Sequence, residues 1–296
     1  MRTLGQLRED FRASLSETCG RAEADALFYW AAQEILHQDR MRLAAGLPQA
    51  VPEQEDSLFA SVLTRLQAGE PIQYIFGKAY FLDLELEVNP GVLIPRGETE
   101  ELVLWALENI RGIRNPKILD LCTGSGAIAL ALASARPDAG VWACDISPEA
   151  LRTASRNNER CRTRVNFFLQ DILQEEIPEN IEKTAFNLIV SNPPYVRKCE
   201  RAQMRANVLE HEPHIALFVD DDDPLPFYRR IAALGWEHLA EGGFVMAEIN
   251  EAFPDECREL YERQGFSQVE VRRDLHGKAR MLSGCKIASK TVSSRS

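Results

Sequence analysis

The chain has 296 residues, 45% of them apolar and 27% charged, with a net charge of −11. A chain of this length buries a full core and allows one large domain or two unequal ones. Its acidity disfavours broad nucleic-acid binding, which needs rows of Lys and Arg against phosphate. No stretch approaches the roughly 18 apolar residues of a membrane helix, and the N-terminus develops no apolar signal region. The seven cysteines are odd in number and dispersed without a Cys-x-x-Cys pair, which fits reduced thiols. A soluble, cytoplasmic protein with no membrane role is expected.

The first 68 residues read as a small helical domain. Thr3 and Gln6 have the spacing of a capping box, and Leu7, Phe11 and Leu15 continue an apolar stripe that Cys19-Gly20 ends. A second helix is predicted over 22–36, with Ala26, Leu27, Trp30, Ala31 and Leu36 at helical spacing, and a third over 53–67 with Leu58, Phe59, Val62, Leu63 and Leu66 inward. Gly46, Pro48 and Pro52 punctuate them. Nothing in this region is chemical, so its candidate role is a docking surface or a support.

From Gly69 the texture changes, and residues 69–98 read as a hairpin and linker. Leu82, Leu84, Leu86 and Val88 alternate with Asp83, Glu85 and Glu87, the pattern of a half-exposed strand, expected to pair with a strand over 74–80. Leu93-Ile94-Pro95, carrying Arg96, Glu98 and Glu100, then leads into a helix running to about Ile110 and is a candidate wall for a ligand pocket.

Lys117 to Leu121 reads as a strand, Cys122-Thr123-Gly124-Ser125-Gly126 as a glycine-containing turn, and 127–135 as a helix of small residues. Glycines at such a turn let a ligand approach the backbone, and Asp120 places a carboxylate beside it. Asp145 ends the next strand, 19 residues beyond Gly126, where a carboxylate can accept both hydroxyls of a ribose. Ile146 follows it. Ser147-Pro148-Glu149 supplies an N-cap, an N1 proline and an acidic first turn for the helix behind. A third strand, 165–169, leads to Asp171 and Ile172, a carboxylate and an apolar face suited to an adenine. Gly124-x-Gly126-x-x-Ala129 also satisfies the looser dinucleotide fingerprint, so this half alone leaves the nucleotide open.

The choice turns on Phe186 to Val190, a buried-strand pattern that stops at Ser191-Asn192-Pro193-Pro194-Tyr195. Two prolines cannot give amide hydrogens to a neighbouring strand, so the strand ends there. In an open α/β sheet that end is where ligands bind. The Asn192 carboxamide and the Pro193 carbonyl can accept hydrogen bonds from an NH2 group, and the Tyr195 ring can cover a flat one. Beyond it, His211 and His214 have a metal-like spacing but no thiol partners, so no metal site is expected. Asp220 to Asp223 reads as a solvated acidic turn. A helix over 227–239, a turn at Gly242-Gly243, a strand over 244–249, a helix through 257–262 and two strands, near 269–271 and over 281–287, complete the pattern.

With these residues in place, the chain resembles the class I S-adenosylmethionine-dependent methyltransferases, and within them the family that methylates the side-chain nitrogen of a glutamine in peptide chain release factors. The resemblance covers about residues 1–284. Asp120-x-Cys122-x-Gly124-x-Gly126 looks like the class's first motif, Asp145 its ribose ligand, Asp171 with Ile172 its adenine site, and Asn192-Pro193-Pro194-Tyr195 its substrate motif. Gly69-x-Pro71-x-Gln73-Tyr74-Ile75-x-Gly77 and Leu93-Ile94-Pro95-Arg96-x-Glu98-Thr99-Glu100 look like signatures of the narrower family. One departure is Gly97, where that family usually has proline.

The resemblance implies an α/β fold with a seven-stranded mixed sheet and helices on both faces, plus the N-terminal helical domain. The methyltransferase domain then spans 99–286, with a flexible tail over 287–296. S-adenosylmethionine is the implied cofactor, held by Asp120, Cys122, Thr123, Gly124, Ser125, Gly126, Asp145, Ile146, Asp171, Ile172 and Asn192. Asn192, Pro193, Pro194 and Tyr195 are the implied catalytic set, and no metal is implied. The implied partners are class I release factors, met through their glutamine-containing loop, with no stable nucleic-acid binding. Because the tetrapeptide is shared with adenine-N6 methyltransferases, methylation of adenine in nucleic acid stands as the alternative.

Overall fold

A computed structural model describes residues 1–174, 176–178, 181 and 183–287. The chain divides into two compact units, residues 1–77 with 205–211, and residues 78–204 with 212–296.

In the smaller unit, α1 (Leu4–Cys19) carries the expected capping box, with Thr3 and Gln6 bonded reciprocally, and ends at Gly20. The helices α2 (Arg21–Leu36), α3 (Arg40–Ala45), α4 (Glu53–Gln67) and α5 (Ile72–Phe76) follow. The rings of Phe11, Phe28 and Phe59 meet at the centre, all essentially inaccessible to solvent. Asp25 of α2 accepts from both Arg8 and Arg12 of α1. Phe59 and Val62 of α4 are buried as expected, but Leu58, expected inward with them, is exposed. Two elements differ from the sequence reading. The short α3 was not expected; Asp39 caps it. Residues 72–76 form a helical turn, so the strand expected over 74–80 begins only at Lys78; Pro71 precedes the turn's first residue and Gly77 ends it in the left-handed conformation, at φ 67°.

The larger unit opens with the hairpin β1 (Lys78–Phe81) and β2 (Leu84–Glu87), shorter than the pairing expected from Tyr74 onward. Then come α6 (Gly97–Asn109), β3 (Lys117–Leu121), α7 (Ala127–Ala135), β4 (Gly140–Asp145), α8 (Pro148–Cys161), β5 (Val165–Leu169) and β6 (Phe186–Ser191). A two-residue pair, β7 (Val196–Arg197) and β8 (Phe218–Val219), precedes α9 (Pro226–His238), β9 (Leu239–Glu248), α10 (Pro254–Gln264), β10 (Ser267–Arg273) and β11 (Ala279–Cys285).

Among the described residues a seven-stranded sheet runs in the order β10-β11-β9-β6-β3-β4-β5. Its pairings are parallel except for those of β11 with β9 and β10. The central strands are apolar on both faces because helices cover both. Ile118, Leu188 and Val190 join the core under α6 and α7, whereas Leu119, Leu121 and Ile189 face α9 and α10. The alanines of α7 let it lie close to the sheet. Gly242-Gly243, expected as a turn before a strand, instead forms an irregularity inside β9. The register with β6 jumps there from Phe186↔Leu239 to Leu188↔Phe244, and Gly242 sits at φ 78°. The chain runs outward from β3 to β4 and β5, then crosses to β6 on the other side of β3. The crevice at the carboxyl ends of β3 and β6 is therefore where a ligand is expected in a doubly wound sheet. The proposed tail falls, apart from Ile287, outside the described residues.

Candidate active site

The carboxyl ends of β3, β4, β5 and β6 converge on a cavity of about 500 Å³, a size in the range of small-molecule sites.

After β3 the chain turns sharply, with Cys122, Gly124 and Gly126 all at positive φ. At Gly124 an added Cβ would meet nothing within 4 Å, whereas at Gly126 it would lie 3.0 Å from Leu130 and 3.2 Å from Ala154. Gly124 thus leaves the backbone open to a ligand, and Gly126 lets α7 approach α8. Asp120 is fully buried beneath this turn. It accepts from the Thr123 hydroxyl at 2.6 Å and the Ala129 amide at 3.2 Å through Oδ2, while Oδ1 has no partner among the described residues. Burial pushes its acid up to about 7. This carboxylate braces the turn and does not line the cavity.

Asp145, at the tip of β4, does line it. The Gly124 amide donates to its Oδ2 at 2.8 Å and the Ser147 amide to its Oδ1 at 2.9 Å, so strand and turn are tied together. Burial raises this acid above its ordinary range, against the pull of those amides. Each oxygen keeps acceptor capacity for a hydroxyl. Past β5, the Leu173 amide donates to Asp171 at 3.0 Å, and Arg230 holds the Ile172 carbonyl at 2.7 Å. Ile146, Asp171 and Ile172 border the same cavity.

At the end of β6, Ser191 donates to the Leu121 carbonyl at 2.7 Å, fixing the strand end against β3. Asn192 donates from Nδ2 to Thr99 Oγ1 at 3.0 Å; the Thr99 hydroxyl donates to Glu248 Oε2 and the Tyr195 hydroxyl to Glu248 Oε1, both at 2.7 Å. Glu248 is 2% exposed. Burial raises its acid, opposed first by the Thr99 bond, then by Tyr195 and by the positive charge of Arg280. Arg280 also lies over the Tyr195 ring, 5.8 Å from its centre.

Of the residues singled out from sequence, Cys122, Thr123, Gly124, Ser125, Asp145, Ile146, Asp171, Ile172, Asn192 and Pro194 border the cavity; Asp120, Gly126, Pro193 and Tyr195 do not. Tyr195 is drawn toward Glu248 by its hydroxyl, a partner that the tetrapeptide does not reveal. Leu93, Pro95 and Arg96 supply part of the wall. Arg96 pairs with the buried Glu212, which also accepts from the Ile94 amide at 3.2 Å, and so anchors that segment. Glu248 carried one signal in the sequence, a carboxylate inside the apolar run Phe244 to Ile249.

Two family models match the chain: a methyltransferase small domain over residues 99–214 and a PrmC N-terminal domain over residues 6–77. The release factor glutamine methyltransferase of Bacteroides thetaiotaomicron is 42% identical over 272 residues, 92% of this chain and 96% of that one. That of Flavobacterium psychrophilum is 39% identical over 278 residues, covering 93% and 96%. That of Streptococcus pneumoniae is 37% identical over 282 residues, covering 94% and 97%. Among solved structures, the hMettl16 catalytic domain, in complex with MAT2A 3'UTR hairpin 6, aligns with a TM-score of 0.55 at 14% identity, over 85% of this chain and 94% of that one. That likeness is one of fold. Both segments matched by family models, and identities of this level over nearly the whole length, place the chain in the release factor glutamine methyltransferase family.

Proposed function

We propose that the protein transfers a methyl group from S-adenosylmethionine to the side-chain amide nitrogen (N5) of a glutamine in class I peptide chain release factors, taken from their glutamine-containing loop. One juxtaposition carries the reading: Asn192 and Asp145 border a single cavity from strands on opposite sides of β3. An amide-gripping residue and a ribose-gripping residue thereby share one space.

The residues present fit S-adenosylmethionine. Gly124 offers an unobstructed backbone, Asp145 has acceptor capacity for the ribose hydroxyls, and Asp171 with Ile172 suits the adenine. When bound, this cofactor supplies an electrophilic methyl group on a sulfonium. The chain's own part is to make a poor nucleophile react. A carboxamide nitrogen is weak because its lone pair is delocalised into the carbonyl, so the site has to hold it in line and favour the twisted, more amine-like form. Asn192, which borders the cavity, would accept one of its N–H groups, and the surplus proton can leave to solvent after transfer.

Incubation of the purified protein with labelled S-adenosylmethionine and either intact release factor or adenine-containing DNA tests the reading. Label on a glutamine side chain of the factor, located by peptide mass spectrometry, is the expected result. Label on DNA alone would overturn it.

A further inference from the structure

A carboxamide is nearly symmetric in shape, and which end faces a ligand is decided by its hydrogen-bond partners. For Asn192 that partner is Thr99, and what Thr99 can offer is set by Glu248. A carboxylate whose two oxygens each accept a hydroxyl hydrogen offers only lone pairs to its neighbours. The Thr99 hydroxyl owns one hydrogen and gives it to Glu248 Oε2, while Glu248 Oε1 takes the hydrogen of Tyr195. Toward Asn192, Thr99 therefore has only lone pairs left, and the end of the carboxamide that meets it must be Nδ2. Oδ1 remains as an acceptor on a residue that borders the cavity. Thr99 and Glu248 are 4% and 2% exposed, so water does not readily replace either bond.

From this chain of donors we propose that Glu248 is a positioning residue: acting through Thr99, it fixes the Asn192 carboxamide with its oxygen, not its NH2 group, toward the substrate nitrogen. The inference rests on the methyl-transfer reading above. With the amide reversed, Asn192 would confront a substrate N–H with another N–H, and the nucleophile would lose an acceptor just where alignment matters. Tyr195 belongs to the same device, since its hydroxyl occupies the second carboxylate oxygen and holds the group in place.

Glu248→Gln tests it with little change of volume. Its side-chain NH2 can donate to Thr99, whose hydrogen then turns to Asn192 and favours the reversed amide. The expected result is a fall in kcat on intact release factor of about 10²-fold, the scale for losing one oriented transition-state bond. Affinity for S-adenosylmethionine by calorimetry should stay within about threefold, because no cofactor contact is removed. Thr99→Val should reproduce the loss and Thr99→Ser, which keeps the hydroxyl, should retain at least about ten times the activity of the valine variant. Melting curves establish that each variant is folded at the assay temperature; should the glutamine variant not fold, the valine–serine pair decides alone. Wild-type kcat in a folded Glu248→Gln, or equal activities for valine and serine at position 99, would overturn the inference. If the wild type itself places no methyl on a release-factor glutamine, the reading of function fails first, and this inference with it.

Discussion

Asp145 and Asn192 occupy one cavity yet should fail differently when truncated. Asp145→Ala removes acceptors for a ribose and breaks the ties to Gly124 and Ser147, so S-adenosylmethionine affinity should fall by at least about tenfold, roughly the worth of one charge-assisted bond. Calorimetry checks this. Asn192→Ala leaves those ties intact, and single-turnover methylation should fall far more than cofactor affinity. Asp120 makes a prediction about stability. Its acid titrates near 7 in the folded protein against an ordinary 3.8. Between about pH 4 and pH 7 the folded state keeps a proton that the unfolded chain has released, so this group's contribution declines as pH rises through that window. Asp120→Asn cannot titrate. The drop in Tm from pH 5 to pH 8 should therefore be smaller in the variant than in the wild type; an identical drop would show that Asp120 is not protonated in the folded protein.

At the scale of the element, the start of α6 is informative because Thr99 of its first turn is part of the Asn192 chain. Gly97 is the first residue of that helix, and an added Cβ there would touch nothing within 4 Å. Arg96 before it is extended, at φ −111° and ψ 151°, the conformation that a following proline requires. Proline is well suited to the first helical position, where the amide has no intrahelical partner. Gly97→Pro should therefore raise stability by about 0.5–1 kcal/mol, chiefly by restricting the unfolded chain, as read from a denaturation midpoint. A loss of stability would mean that the Gly97 amide is needed. On this geometry, glycine at position 97 is a local weakening at the start of α6.

For the whole molecule, the question is what the smaller unit does. It has its own core around Phe11, Phe28 and Phe59, and neither Asp145 nor Asn192 belongs to it. A glutamine side chain offers few contacts, and orienting a poor nucleophile draws on binding energy from elsewhere on the substrate. The helical unit is thus proposed as a contact surface for the intact factor. Met41 and Leu58 are 83% and 48% exposed on it. In the full chain, Met41→Glu with Leu58→Glu should raise KM for an intact release factor by about fivefold, roughly 1 kcal/mol, while kcat/KM for a short glutamine peptide stays unchanged. Equal effects on both substrates would leave the unit a supporting role.

Much of this was legible in the sequence because local rules govern it. The capping box at Thr3, the strands at 117–121 and 165–169, the small-residue helix at 127–135 and the N-cap at Ser147 follow from periodicity and termini alone, and the structure has them at those residues. The motif residues around Gly124, Asp145 and Asn192 could be named for the same reason, since strand ends concentrate ligand chemistry in this fold. What the chain order cannot express is which distant groups meet. Asp120 looked like a ligand and is a buried brace, because its alternate position on β3 and the tight turn above it close it off. The helical turn at 72–76 displaced the start of an expected strand; the residues that bound it, Pro71 and Gly77, suit a turn as well as a hairpin. Thr99, Asn192 and Glu248 are separated by 93 and 149 residues along the chain from one bonded partner to the next. Only the packing of α6 and β9 beside β6 turns three unrelated polar residues into one chain of donors, and with it decides which atom of Asn192 is left for a ligand.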